Sequence, residues 1–274
     1  MDKIRRNERM SAMLKILTDQ PNHQLTLSYF CDLFGAAKST MSEDIDLLCN
    51  TLRSFELGEI QTLTGAAGGV FYRPSVRDEQ AAAYIGELCR QLSGTERLLP
   101  GGFLYYSDIL SSPQMTQRMG EIIATQYYGM APDFVLTMET KGIPVALMTA
   151  RALGVPLVIA RHTSKVYEGP AVNINYVSGS SGSIQTMSLA RRAVQEGQKA
   201  LIVDDFLKGG GTARGMVELM REFHVQVVGA AFVMETDDPP KKRIAGEKAL
   251  MRLRIHHEGD EEWAEVTPAE WLMK

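Results

Sequence analysis

Apolar residues in the first quarter of the chain recur at the spacing of one helix face. Met10, Met13, Leu14 and Leu17 follow an i, i+3, i+4, i+7 pattern and predict a helix. Pro21 and Asn22 break it. Leu27, Phe30, Cys31 and Phe34 repeat the pattern in a shorter helix, and Gly35 ends that helix. After the turn "GAA", Met41, Ile45, Leu48 and Leu52 define a third. Ile60 and Leu63 then face Val70 and Tyr72 across the glycine-rich "TGAAGG", which reads as a β-hairpin with a loose tip. Helix, helix, tight turn, helix, hairpin is the order of a winged helix-turn-helix. Pro74 closes the unit and a charged amphipathic helix over 75–92 follows. The pattern therefore predicts two domains, 1–73 and 74–274.

From about residue 130 the texture changes. Short aliphatic runs, "FVLTM" (134–138), "PLVIAR" (156–161), "KALIVDD" and "VQVVGAAFVM", alternate with helical stretches over 143–153 and 212–224. "VNINYV" and "IQTMSL" suggest a further strand pair around "SGSSGS" (178–183), which is either a lid or a hairpin tip. Strands separated by helices predict an α/β domain with a mainly parallel sheet. The C-terminal "EEWAEVTPAEWLMK" carries no clear pattern, and Trp263 and Trp271 read as packing residues.

Composition narrows the class. The 274 residues are 45% hydrophobic and 23% charged, as in an ordinary globular protein. No stretch is long and apolar enough to span a bilayer. The polar start "MDKIRRNERM" is not a signal peptide, so a cytoplasmic protein without membrane association is expected. Cys31, Cys49 and Cys89 are odd in number and form no CxxC pair, which argues against a disulfide framework or a zinc site. Each falls in an apolar helical stripe, and three buried thiols are expected. The net charge of −4 does not advertise nucleic-acid binding, so any DNA contact must come from local geometry.

The candidate chemistry lies in "LIVDDFLKGGGT" (201–212). A buried strand runs into two adjacent carboxylates, Asp204 and Asp205. Lys208, Gly209, Gly210, Gly211 and Thr212 then lead into a helix. The glycines let successive N–H groups line one concavity, and the helix N-terminus favours an anion. A phosphate suits the loop, but the two aspartates would repel it and need hydroxyls or a cation. One small molecule carrying a sugar diol and a phosphate satisfies both halves. A Walker A loop is excluded because Lys208 precedes the glycines, and GxGxxG because Arg214 stands where its last glycine belongs.

In the N-terminal unit, the first residues of the second helix of the pair, Lys38, Ser39, Thr40 and Ser42, are placed to meet base edges. Arg5 and Arg6 could reach phosphates. Glu43, Asp44 and Asp46 oppose DNA if they face it. Glu43 could instead close a capping box on Thr40, which would start the helix there.

The 201–212 segment resembles the phosphoribosyl pyrophosphate (PRPP) motif of type I phosphoribosyltransferases. That resemblance implies that "METKG" binds diphosphate through Glu139, Thr140, Lys141 and Gly142, with Arg161 and Lys165 adding positive charge. Gly209 replaces the threonine that usually opens the family's motif. The winged helix in front of such a domain resembles bacterial purine operon repressors. "AAKSTMSED", "TGAAGGV", "LPGGF", "TKGIP", "INYVSGSS", "IQTMSLA" and "DDFLKGGGT" carry this resemblance across nearly the whole chain. It implies a homodimeric, non-enzymatic repressor of purine synthesis and transport genes. Double-stranded operator DNA would be the partner and PRPP, with Mg²⁺, the effector that releases it. No obligatory cofactor, catalytic residue or resident metal is implied, and guanosine tetraphosphate enters as a competing ligand. The alternative is an active purine phosphoribosyltransferase with an accessory N-terminal module.

Overall fold

A computed structural model describes residues 4–65, 68–164, 169–178, 182–259 and 261–273. The chain divides into two compact units, Met1–Arg77 with Arg151–Gly154, and Asp78–Ala150 with Val155–Lys274.

In the first unit, α1 (Arg6–Asp19), α2 (Leu27–Phe34) and α3 (Lys38–Ser54) precede a hairpin of β1 (Glu59–Leu63) and β2 (Gly69–Arg73). The Thr26 hydroxyl oxygen caps α2 by accepting from the Tyr29 N–H at 3.1 Å. Gly35 ends it at φ 60°, a conformation glycine adopts without strain. Met13, Leu17, Phe30, Met41, Ile45, Leu48, Leu52, Ile60 and Val70 form one core. The predicted helical stripes thus meet on a single seam. Leu25 pairs antiparallel with Val70, giving the wing a third, one-residue edge.

Two expectations, the capping box and the three buried thiols, are corrected, and the side on which Asp44 lies is settled. Helix α3 begins at Lys38 after Ala37, so the Thr40–Glu43 capping box does not form. Glu43 lies instead 3.7 Å from the Arg6 guanidinium. Asp44 does not face solvent: it is fully buried and accepts from Arg9 Nε at 2.5 Å and Arg6 Nε at 2.9 Å. Of the three cysteines only Cys89 is buried, while Cys31 and Cys49 are half-buried, at the margin of their helix stripes.

The second unit opens with α4 (Asp78–Leu92), the two-residue strands β3 (Leu98–Leu99) and β4 (Phe103–Leu104), α5 (Ser107–Leu110) and α6 (Pro113–Tyr127). The α/β portion follows: β5 (Phe134–Met138), α7 (Ile143–Leu153), β6 (Leu157–Ala160), β7 (Ala171–Val177), β8 (Ile184–Ala190), β9 (Lys199–Leu207), α8 (Gly211–Glu222), β10 (Gln226–Thr236), β11 (Lys248–Glu258) and β12 (Glu261–Pro268). Six strands form one sheet in the order β12-β11-β10-β9-β5-β6. All neighbours are parallel except β11 and β12. Every residue of β5 is buried, which explains why it is apolar at all but Thr137. β7 and β8 form a separate antiparallel hairpin packed on α8, where a Cβ at Gly215 would stand 3.0 Å from the Tyr176 ring.

The unpatterned C-terminus forms β12 and closes the sheet. Trp263 stacks on His256 at 5.0 Å, and Trp271 donates to the Ala249 carbonyl at 2.6 Å. Both tryptophans pack, as their sequence setting suggested.

Asp44 ties α1 to α3. Removing it strands the buried Arg9 guanidinium without its counter-charge. Asp44→Ala should destabilise the protein by on the order of 3 kcal/mol, read as a lowered unfolding midpoint in denaturant.

Candidate functional site

β5 leads through α7 to β6 on one side of the sheet, and β9 leads through α8 to β10 on the other. The strand order therefore reverses between β5 and β9, where open parallel sheets form a crevice beyond their carboxyl ends. The recorded pairing of β5 with β9 ends at Leu136 and Ile202, whereas β9 stays paired with β10 as far as Leu207. The two strands part just before Asp204, and a cleft of about 530 Å³ opens there.

Ten of the residues singled out from the sequence line this cleft: Glu139, Thr140, Lys141, Asp204, Asp205, Lys208, Gly209, Gly210, Gly211 and Thr212. Gly210 sits at φ 76° and caps α8, which begins at Gly211. The loop is pinned from behind, where the Arg243 N–H donates to the Gly209 carbonyl at 3.2 Å. Helix N–H groups and the Lys141 and Lys208 side chains thus share one cleft with two carboxylates.

Gly142 lies behind the surface. A Cβ there would fall 1.9 Å from Asp204 Oδ1, so only glycine lets this loop pass against the buried carboxylate. Arg161 does not line the cleft. Its guanidinium meets Glu139 Oε2 at 3.4 Å, and Glu139 Oε1 accepts from the His162 N–H at 2.6 Å. Glu139 therefore ties the loop after β5 to the end of β6. Lys165 and residues 179–181 of "SGSSGS" lie outside the described residues. Among the described residues, no three His, Cys, Asp or Glu side chains cluster to hold a metal ion.

The carboxylates differ in setting. Asp204 is 8% exposed and accepts from the Asp205 N–H at 3.0 Å. Burial first, and the Asp205 charge second, raise its pKa well above the usual carboxylate value. Asp205 accepts from the Tyr106 hydroxyl at 2.7 Å. Tyr106 did not stand out in the sequence, nor did His162, Tyr176, Gln185 and Phe206, which line the cleft. Phe206 directly follows the aspartates and Tyr176 lies in "INYV"; those positions were the only signal either offered.

In the first unit Lys38, Ser39 and Ser42 are exposed on the opening turns of α3, and Thr40 is half-buried. Arg5 is exposed, with its backbone N–H donating to Glu8 at 2.9 Å. Arg6 is exposed too, but its guanidinium is engaged by Asp44 and Glu43.

A raised folded pKa makes Asp204 a source of pH dependence. Between the unfolded carboxylate value and the raised folded one, the folded chain holds more protons than the unfolded chain. Stability therefore falls as pH rises through that window and stays lowered above it. Asp204→Asn keeps the shape without the charge. It should raise the unfolding temperature at neutral pH and flatten this pH dependence, as read from thermal melts across the acid-to-neutral range.

Residues 5–74 match the family described as "Bacterial purine repressor, N-terminal", and residues 106–267 match "Phosphoribosyl transferase domain". The chain is 40% identical over 252 residues to a purine biosynthesis transcriptional regulator PurR of Streptococcus pneumoniae, covering 92% of each chain. It is 39% identical to the purine biosynthesis transcriptional repressor PurR of Bacillus subtilis, covering 92% of this chain and 88% of that one. It is 38% identical to the purine biosynthesis transcriptional activator PurR of Lactococcus lactis, covering 91% and 92%. Among solved structures, an adenine phosphoribosyltransferase from Rhodothermus marinus superposes with a TM-score of 0.53 at 22% identity, covering 62% of this chain and 99% of that one, which shows a shared fold. A helical DNA-binding domain thus precedes a phosphoribosyltransferase fold, and the chain belongs to the bacterial PurR family of transcriptional regulators.

Proposed function

We propose that this protein represses purine synthesis and transport genes by binding operator DNA through α3, and that PRPP bound in the β5–β9 cleft releases it. The observation that carries the reading is the pairing of opposite chemistries in one cleft. Asp204 and Asp205 suit the ribose hydroxyls, the loop 208–212 suits the 5′-phosphate, and Thr140, Lys141 and Gly142 suit the diphosphate. Mg²⁺ would arrive on the diphosphate, since this ion keeps much of its water and is commonly held through substrate phosphates rather than by an all-protein cage. Arg161 acts at one remove, through Glu139. Lys165 stays in the proposal on its sequence position alone. Guanosine tetraphosphate, which also carries diphosphate groups, would compete for the same loops.

PRPP feeds purine synthesis, so its accumulation lifting repression is coherent. Release requires PRPP to bind the DNA-free form better than the DNA-bound form. A homodimer fits this scheme, because two copies of α3 would read a two-fold operator. The relatives carry both repressor and activator in their names. The proposal takes the repressor sense, in which release by PRPP turns the genes on. Catalysis is not part of the proposal: Gly209 supplies a backbone contact but no hydroxyl where the transferase motif usually has threonine.

The test is fluorescence anisotropy on DNA from upstream of purine synthesis genes. PRPP with Mg²⁺ should release the protein, and ribose 5-phosphate should not match it. Asp204→Ala should bind DNA as before and lose the PRPP response; full PRPP sensitivity in that variant would overturn the site assignment. Nucleotide formation from a purine base and PRPP would favour the active transferase instead.

Lys38 stands with the base-edge residues that open α3, and its charge is proposed to reach a DNA phosphate. Lys38→Ala should weaken binding to all sequences alike and reduce the salt slope by about one, measured from affinities over a series of salt concentrations. An unchanged slope removes Lys38 from the contact set.

A further inference from the structure

The two halves of the cleft ask for opposite chemistries, and one side chain outside both motifs touches each. Tyr106 is 7% exposed. Its hydroxyl donates to Asp205 Oδ2 at 2.7 Å. The Lys141 ammonium lies over the face of its ring, 5.6 Å from the centroid. The ring also stacks with Phe206 at 6.2 Å, which fixes its plane.

Each contact restrains a group that would otherwise move. An aspartate carboxylate turns readily about its last torsion, and a hydrogen bond to one oxygen sets where the other points. A lysine ammonium swings on a four-carbon stem, and an aromatic face narrows the range it samples. Burial, and then the Asp205 charge, push the phenol pKa upward, so the hydroxyl keeps its proton at neutral pH and remains a donor.

We propose that Tyr106 is a positioning residue that sets both halves of the cleft, orienting Asp205 toward the ribose hydroxyls through its O–H and holding Lys141 toward the diphosphate through its ring face. This rests on the effector reading above. The two tasks belong to different parts of one side chain, so they separate by substitution. Tyr106→Phe removes the hydroxyl and keeps the ring. Tyr106→Leu removes both.

The experiment is titration calorimetry of the full chain and both variants with three probes: PRPP with Mg²⁺, ribose 5-phosphate, and inorganic pyrophosphate with Mg²⁺. Tyr106→Phe should weaken ribose 5-phosphate and PRPP by on the order of tenfold while pyrophosphate affinity is retained. Tyr106→Leu should weaken pyrophosphate as well. Equal loss of all three probes in the phenylalanine variant would mark a general structural effect and overturn the proposal, as would unchanged ribose 5-phosphate affinity in it. Retained pyrophosphate affinity in the leucine variant would overturn the ring's part. If the unsubstituted protein binds none of the probes, the effector reading falls, and the Tyr106 proposal with it. That failure shows before any variant is compared.

Discussion

Two carboxylates at the end of a buried strand are the constraint around which the second unit is arranged. Taking one carboxylate out of water is costly, and a second beside it adds repulsion. Nothing in folding favours this pair. It persists because β9 is held rigidly: residues Ala200, Leu201, Ile202 and Val203 are fully buried, with β10 on one side and β5 on the other. The remaining charge is met locally, by the Asp205 N–H on Asp204 and the Tyr106 hydroxyl on Asp205. A stable sheet thus carries an unfavourable pair at the point where it opens to solvent. The natural relief for that pair is a ligand bringing hydroxyls or a cation.

The same economy of charge governs the first unit. If α3 meets DNA as proposed, three acids in nine of its residues would be awkward there. The fold removes Asp44 from that surface by burying it, and Arg6 and Arg9 reach it from α1. The arginine that looked suited to phosphate contact is thereby partly spent on holding two helices together. Glu43 and Asp46 stay exposed beside Lys38, Ser39 and Ser42. A surface of that kind binds nucleic acid through placement of a few donors rather than through a strong positive field.

What could be read from the sequence follows from how local each feature is. The helices of the winged unit show in their spacing because one stripe of each faces a single core. β5 and β9 show because a strand segment buried on both faces is mostly apolar, as in "FVL" and "ALIV". The glycine loop shows because the residues that shape it are consecutive. Tyr106 did not, because 99 residues separate it from the carboxylate it bonds. β12 did not, because a half-exposed strand at a sheet edge mixes charged and apolar positions, as in "EEWAEVTP"; β11 did not, because it is buried near its start but half-exposed or exposed over its last residues, "IHHE". The resemblance implied an anion for Arg161; only the fold brings Glu139 within 3.4 Å of it. The resemblance implies a place for Gly142 in the diphosphate loop, and the structure adds a physical reason for glycine there, the closeness of Asp204.

A sensor and a transferase make different demands on one cleft. Catalysis rewards only the contacts that strengthen in the transition state. Sensing rewards any contact that differs between the DNA-bound and DNA-free forms. Replacing a threonine hydroxyl by Gly209 removes one directional contact at the phosphate and leaves the backbone N–H groups, the paired aspartates and Lys141. On the effector reading, those groups are the ones that would hold a ground-state molecule. On the effector reading, tyrosine in place of further charge at position 106 serves the same end: it orders both halves of the site without adding another ion whose repulsion or desolvation would have to be offset when the cleft stands open.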